Sequence, residues 1–191
     1  QRCHVGQMLE EAVASELAAL AMPKARLIIS ITPTEFAPHG GDDITFKLQA
    51  HPGAPALPLG QGASGGELSR IMLALELCVA TGAKRAGHTF VFDEIDAGIG
   101  GTTARHVGER LARLATHHQV IVVTHIAQVA AFARHHAVVV KTDQSEQATT
   151  EVRNVDGKTR ELEIARMLGG TDTKTALRHA AELINAANVA R

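Results

Sequence analysis

Apolar side chains open the chain at helical spacing. Leu9, Val13, Leu17 and Leu20 fall at steps of four, four and three, one stripe of a helix that Pro23 stops. The period then changes to two. Leu27, Ile29 and Ile31 alternate with other residues, as do Ile44, Phe46 and Leu48, and a stretch holding Pro33, Pro38, Gly40 and Gly41 separates the two runs. This predicts a partly exposed antiparallel strand pair. Residues 51 to 62 contain Pro52, Pro55, Pro58, Gly53, Gly60 and Gly62, too many breakers for a helix or a central strand, and read as an ordered loop or a mobile connector.

From Ser64 onward helices alternate with fully apolar strands, the pattern of a parallel sheet covered on both faces. Leu68, Ile71, Met72, Leu75 and Val79 predict a helix with one buried stripe. Thr89 to Phe92 and Val120 to Val123 are apolar strands on either side of a helix over 103 to 115, and a third strand follows at Ala137 to Val140, after a helix over 126 to 134. Residues 148 to 155 alternate weakly into the turn signal Asp156-Gly157. Helices at about 160 to 168 and 173 to 187 close the chain, separated by Gly169-Gly170. The fold class is α/β.

Composition narrows the function. With 191 residues of which 45% are apolar, the chain is neither a mini-protein nor disordered. A formal net charge of −1 excludes a histone-like or basic-tail DNA binder. Five Phe, no Trp and no Tyr leave no stock of rings for stacking bases. Cys3 and Cys78 cannot build a disulfide framework and suit a reducing cytoplasm. No apolar run approaches the ~20 residues that cross a bilayer. The chain opens Gln1-Arg2-Cys3-His4, without an initiator Met or a leader pattern, and is expected to be a piece of something longer.

Ser64-Gly65-Gly66-Glu67 stands where a loop turns into a helix, so backbone N–H groups and the positive end of the helix dipole face outward together. Such a corner can bind phosphate, and two glycines let the anion approach closely. The same residues also spell an ordinary capping box, Ser64 capping and Glu67 completing it. Asp93 and Glu94 follow the apolar strand directly, at the edge where open α/β sheets bind ligands. One can hold Mg²⁺ while the other orients or deprotonates an attacking water; the plain alternative is a solvated strand end. Gly98, Gly100 and Gly101 imply a backbone that turns sharply or touches something closely. Thr124-His125 ends the next apolar strand on the same predicted edge. The pairs His117-His118 and His135-His136 lack ligand-spaced partners and read as surface residues, with no zinc site.

The order of these elements resembles that of an ABC-type ATPase, whose signature motif, Walker B strand and switch histidine come in this sequence. Four stretches carry a closer likeness, to the SMC-like ABC ATPases of bacterial double-strand break repair. They are Ala63 to Arg70, Val91 to Gly101, Val123 to Ala130 and Ile164 to Gly170, with His51 to Pro55 also fitting. The resemblance implies the C-terminal part of an ATPase head, a mostly parallel sheet flanked by helices with a short antiparallel strand pair near the N-terminus. Residues 1–22 would end a coiled-coil arm helix and 23–191 would form the head part. It implies nucleotide contacts from Ser64, Gly65, Gly66 and Glu67, with Ser64 and Gly66 on the γ-phosphate of ATP. Asp93 would take Mg²⁺, Glu94 the hydrolytic water, and His125 would sense the γ-phosphate.

Two departures accompany the likeness. Gly98-Ile99-Gly100 stands where many ABC proteins have Ala-Leu-Asp, which favours the repair branch over other SMC-like heads. No G-x-x-x-x-G-K-[ST] occurs in the chain, so the loop and lysine that cradle phosphates are expected from an N-terminal portion of the same protein. Signature motifs of this family work across a dimer, which implies a second head as partner, along with DNA, no membrane, and a place on the nucleoid in the cytoplasm. The alternatives are another SMC-like chromosome or repair ATPase, and a non-catalytic interaction module.

Overall fold

The computed structural model describes residues 1–80, 87–142, 149–169 and 173–190. They form two units, Gln1–Val123 and Thr124–Arg191.

The first unit begins with α1 (Arg2–Ala19), which buries Val13 and Leu17 from the predicted stripe. Leu20, just past the helix end, is fully buried as well. The helix ends before Pro23: Ala21 takes a left-handed conformation (φ 62°) and Met22 N–H reaches back to the Leu17 carbonyl at 2.9 Å. Then β1 (Arg26–Ala37) and β2 (Gly40–Gln49) pair antiparallel. Their register sets Leu27 opposite Leu48, Ile29 opposite Phe46 and Ile31 opposite Ile44, which gathers the alternating apolar residues on one face. α1 lies on β1 through Gly6, where an added β-carbon would stand 3.7 Å from Ile31 Cδ1, and the Ile29 N–H donates to Glu10 Oε1 at 2.6 Å. The stretch expected to be a loop holds two short elements, β3 (Leu57–Pro58), paired with β2, and the single turn α2 (Leu59–Gly62).

α3 (Gly65–Ala80) packs against α1 and against α4 (Gly101–Leu114). Its buried face is Arg70, Ile71, Leu73, Ala74 and Leu77. Of the predicted stripe Ile71 is buried and Leu68 and Leu75 are half-buried, whereas Met72 and Val79 are exposed. The helix is apolar on two sides, and only one is covered. β4 (Thr89–Phe92) and β5 (Gln119–Val122) pair in parallel with α4 between them in the chain. One face of this pair is open, with Val91 65%, Ile121 46% and Val123 58% exposed, where the apolar runs predicted cover on both sides. Glu16 on α1 accepts from Arg110 Nε at 2.9 Å and from Arg113 Nη2, joining α1 to α4. Neither Cys3, which is exposed, nor Cys78, which is half-buried, is in a disulfide.

The second unit contains α5 (Ala127–Ala130), β6 (His136–Thr142), β7 (Thr149–Val155), α6 (Gly157–Met167) and α7 (Lys174–Val189). The third predicted strand does not join a parallel sheet: β6 pairs antiparallel with β7, from His136 opposite Val155 to Thr142 opposite Thr149. The weakly alternating stretch after it supplies that partner. The helix predicted over 126 to 134 is a single turn. Asp156 starts α6 through a capping box with Thr159, and Gly169 follows its end at φ 77°; Gly170 lies outside the described residues. A core of Ala127, Ala130, Ile164, Ala165 and Ala180 joins α5, α6 and α7. No helix among the described residues is long and apolar enough to cross a membrane.

Candidate functional site

At the start of α3 the capping box is built in full. Ser64 N–H and Ser64 Oγ both donate to Glu67 Oε2 at 2.9 Å, and Glu67 N–H donates back to Ser64 Oγ at 3.3 Å. The Ser64 N–H, more than any other group, holds the Glu67 carboxyl below its usual range; partial burial opposes this, and the Ser64 hydroxyl and Arg70 assist it. Glu67 is therefore occupied in shaping the corner. Gly65 and Gly66 occupy the first turn, where N–H groups have no intrahelical acceptor.

Asp93 and Glu94 are exposed directly after the buried Phe92. Asp93 Oδ1 accepts the Glu94 N–H at 2.9 Å, and Asp93 O accepts from Ser69 Oγ at 2.8 Å, tying the strand end to α3. Glu94 adopts φ 56°, a left-handed conformation that costs a non-glycine residue free energy and persists only where surroundings enforce it. Two sets of contacts enforce it: Ala97 N–H donates to Glu94 O at 2.9 Å, and the buried Arg70 guanidinium of α3 donates to Ala97 O at 3.0 Å and Ile95 O at 3.4 Å. A tight turn results.

The helix start and the acid pair meet. A β-carbon on Gly65 would stand 2.7 Å from Glu94 Oε2, and one on Gly66 would stand 2.8 Å from Ala97 Cβ and 2.9 Å from Glu94 O. Both signature glycines thus permit a close approach to the Glu94 turn. Gly98 (φ 72°) and Gly101 (φ 54°) serve a different need, since a β-carbon there meets nothing within 4 Å and only the backbone conformation calls for glycine.

Ser64, Gly65, Gly66, Glu67, Asp93 and Glu94 therefore share one corner of the first unit. His125 belongs to the second unit. It is exposed and precedes α5, inside a turn closed by the Ile126 N–H donating to Thr124 Oγ1 at 3.1 Å. Ser69, Arg70 and the 3%-exposed Asp96 lie inside the motif stretches without a role assigned from the sequence, although the charge of Arg70 on the buried side of an apolar helix is itself a signal that carbonyl partners await it. The two histidine pairs divide. His117 and His135 are exposed as expected, but His118 is half-buried, edge-on to Phe90 with ring centroids 5.2 Å apart, and His136 is half-buried beside Arg160 and Glu163.

Among the described residues no three His, Cys, Asp or Glu side chains are grouped to hold a metal ion. Asp93 fits a different mode. An exposed carboxylate, fixed by a backbone N–H on one oxygen, supplies one ligand to Mg²⁺ when phosphates supply others.

No protein-family model matches the chain. The DNA repair protein RecN of Streptomyces coelicolor is 44% identical over 100% of this chain and 35% of its own length. RecN of Treponema pallidum is 47% identical over 78% of this chain and 26% of its own, and that of Deinococcus radiodurans 42% over 92% and 31%. The chain is a RecN relative. It spans between about a quarter and about a third of the length of these RecN proteins. Among solved structures, the Smc head domain with a coiled coil and joint from Pyrococcus yayanosii matches with a TM-score of 0.55 at 15% identity, over 95% of this chain and 29% of that one. The Smc head domain from Pyrococcus furiosus bound to the C-terminal domain of ScpA matches with a TM-score of 0.51 at 18% identity, over 78% and 35%. The fold of this RecN relative is accordingly the α/β fold of an SMC head.

Proposed function

We propose that this chain is the C-terminal part of the ATPase head of a RecN-type protein, acting in DNA double-strand break repair and recombination on the nucleoid. In this reading residues 1–22 end the coiled-coil arm helix and 23–191 form the head part. One observation carries it: the helix start at Gly65-Gly66 and the turn at Glu94 lie against each other, with Gly65 in reach of Glu94. A γ-phosphate presented by a second head meets the Ser64 hydroxyl and first-turn N–H groups, needing no lysine from this chain. By the family likeness Glu94 would hold the hydrolytic water and His125 would sense the γ-phosphate. Asp93 would hold Mg²⁺, which supplies charge neutralisation to the phosphates when bound.

A Walker A loop, absent from these residues, must come from an N-terminal portion of the same protein. The open apolar face of Val91, Ile121 and Val123, with Met72 and Val79 on α3, supports such a covering portion. ATP then closes two heads, each signature corner on nucleotide held by the other, and hydrolysis reopens them. The test is ATP turnover and light scattering on this chain combined with its Walker A portion. Glu94→Gln should stop turnover and leave ATP-dependent dimerisation intact, and Ser64→Arg should block dimerisation. Normal hydrolysis by the Gln variant overturns the role of Glu94.

A further inference from the structure

We propose that Arg160 is a positioning residue for His125, acting through the single-turn helix α5. The proposal rests on the nucleotide-sensing reading of His125 and gives a task to a stretch that phosphate chemistry leaves unused, the one around Ile164 to Gly170.

α5 has only four residues, Ala127–Ala130, and a helix of one turn does not hold itself. Its own carbonyls are met by the backbone N–H groups of Ala131, Phe132 and Ala133, and the residues just past its end are held by Arg160 of α6. Its Nη2 donates to Ala133 O at 2.8 Å and Ala131 O at 2.9 Å, with Ala130 O further off at 3.4 Å. A planar guanidinium suits several carbonyls at once, which a lysine ammonium on a flexible stem does not. Arg160 is itself fixed, because its backbone N–H donates to Asp156 O at 3.0 Å within the capped first turn of α6.

Packing does the rest. Ile164 (0% exposed) and Ala165 (1%) lie one turn further along α6 and pack with Ala127 and Ala130 of α5 and Ala180 of α7. Four of these five residues are alanines, so the backbones approach closely and a sideways slip of α5 would open a void. At the other end of α5, the Thr124 hydroxyl closes the turn that contains His125. The imidazole is thus carried on a short lever: Arg160 grips the far end, Ile164 and Ala165 back the middle, and Thr124 shapes the tip.

The experiment uses this chain combined with its Walker A portion. Arg160→Met should lower kcat roughly tenfold with the KM for ATP unchanged, and Arg160→Lys should recover part of the loss. In a His125→Ala background, Arg160→Met should add no further loss. Independently of turnover, the His125 ring resonance in side-chain NMR, assigned by its absence in His125→Ala, should shift or broaden in Arg160→Met. Leu183→Ala, which trims a side chain packed against the same core from α7, should lower Tm and leave that resonance in place. An unmoved His125 resonance in Arg160→Met, or losses that add in the double variant, overturns the proposal. Should His125→Ala leave turnover intact while Arg160→Met still moves the resonance, the positioning stands and the nucleotide-sensing role of His125 fails.

Discussion

Glu94 and Gly65 are so close that a β-carbon on the glycine would stand 2.7 Å from Glu94 Oε2. The neighbouring glycine meets something harder: at Gly66 the obstacles are Ala97 Cβ and the Glu94 carbonyl oxygen, at 2.8 and 2.9 Å. The two positions should therefore respond differently to the same substitution. In Gly65→Ala the flexible carboxylate swings away, so Tm should stay level while ATP turnover falls by about 10²-fold through misplacement of the water-holding group. In Gly66→Ala backbone must move, and the protein should lose about 1–3 kcal/mol of stability. Denaturant titration and turnover on both variants check this; equal loss of stability in the two would contradict the difference in what they face.

The Glu94 corner was legible because its chemistry is written in short contiguous runs, Ser64 to Glu67 and Asp93-Glu94, each at a boundary between elements that periodicity locates. What escaped was the set of contacts that join the runs. Ser69 to Asp93 O and Arg70 to Ala97 O cross 24 and 27 residues of chain, and no local pattern announces them. The left-handed backbone of Glu94 is likewise imposed by the turn and not by the preference of a glutamate. The pairing of β6 is hidden for a related reason: Val138 to Val140 is as apolar as a buried parallel strand, and only the partner Thr149–Val155 makes it one half of an antiparallel pair. On α3, two apolar stripes compete, and sequence alone does not say that Ile71, Ala74 and Leu77 are covered while Met72 is open.

Glu16 sets the attachment of the N-terminal helix. Its carboxylate, largely buried, receives Arg110 and Arg113 from α4, the helix that begins at Gly101. Replacing it with a neutral amide leaves the part-buried Arg110 without its countercharge, so Glu16→Gln should cost about 2 kcal/mol in a urea titration. Arg113 is half exposed, and its guanidinium is screened by solvent. Arg113→Gln should accordingly cost less than Arg110→Gln. A larger effect at Arg113 would mean that the more exposed contact is the one fastening α1.

His136 gives the second unit a pH dependence of definite sign. Burial first, and Arg160 next, push its imidazole below the ordinary value of 6.5, with Glu163 pulling partly back. Its Nδ1 is buried without a hydrogen-bond partner, which agrees with a ring kept neutral. Above pH 6.5 both folded and unfolded chains carry His136 uncharged, and its contribution is constant. As pH falls through that value the unfolded chain takes up a proton that the folded chain refuses, so stability declines until the lowered folded-state value is reached. Urea midpoints measured from pH 8 to 5 should therefore fall more steeply for the native sequence than for His136→Gln, which cannot titrate. The remaining ten histidines contribute equally to both curves, so the difference between them isolates this ring. Parallel curves would mean that His136 is protonated as readily in the folded protein as in the unfolded chain.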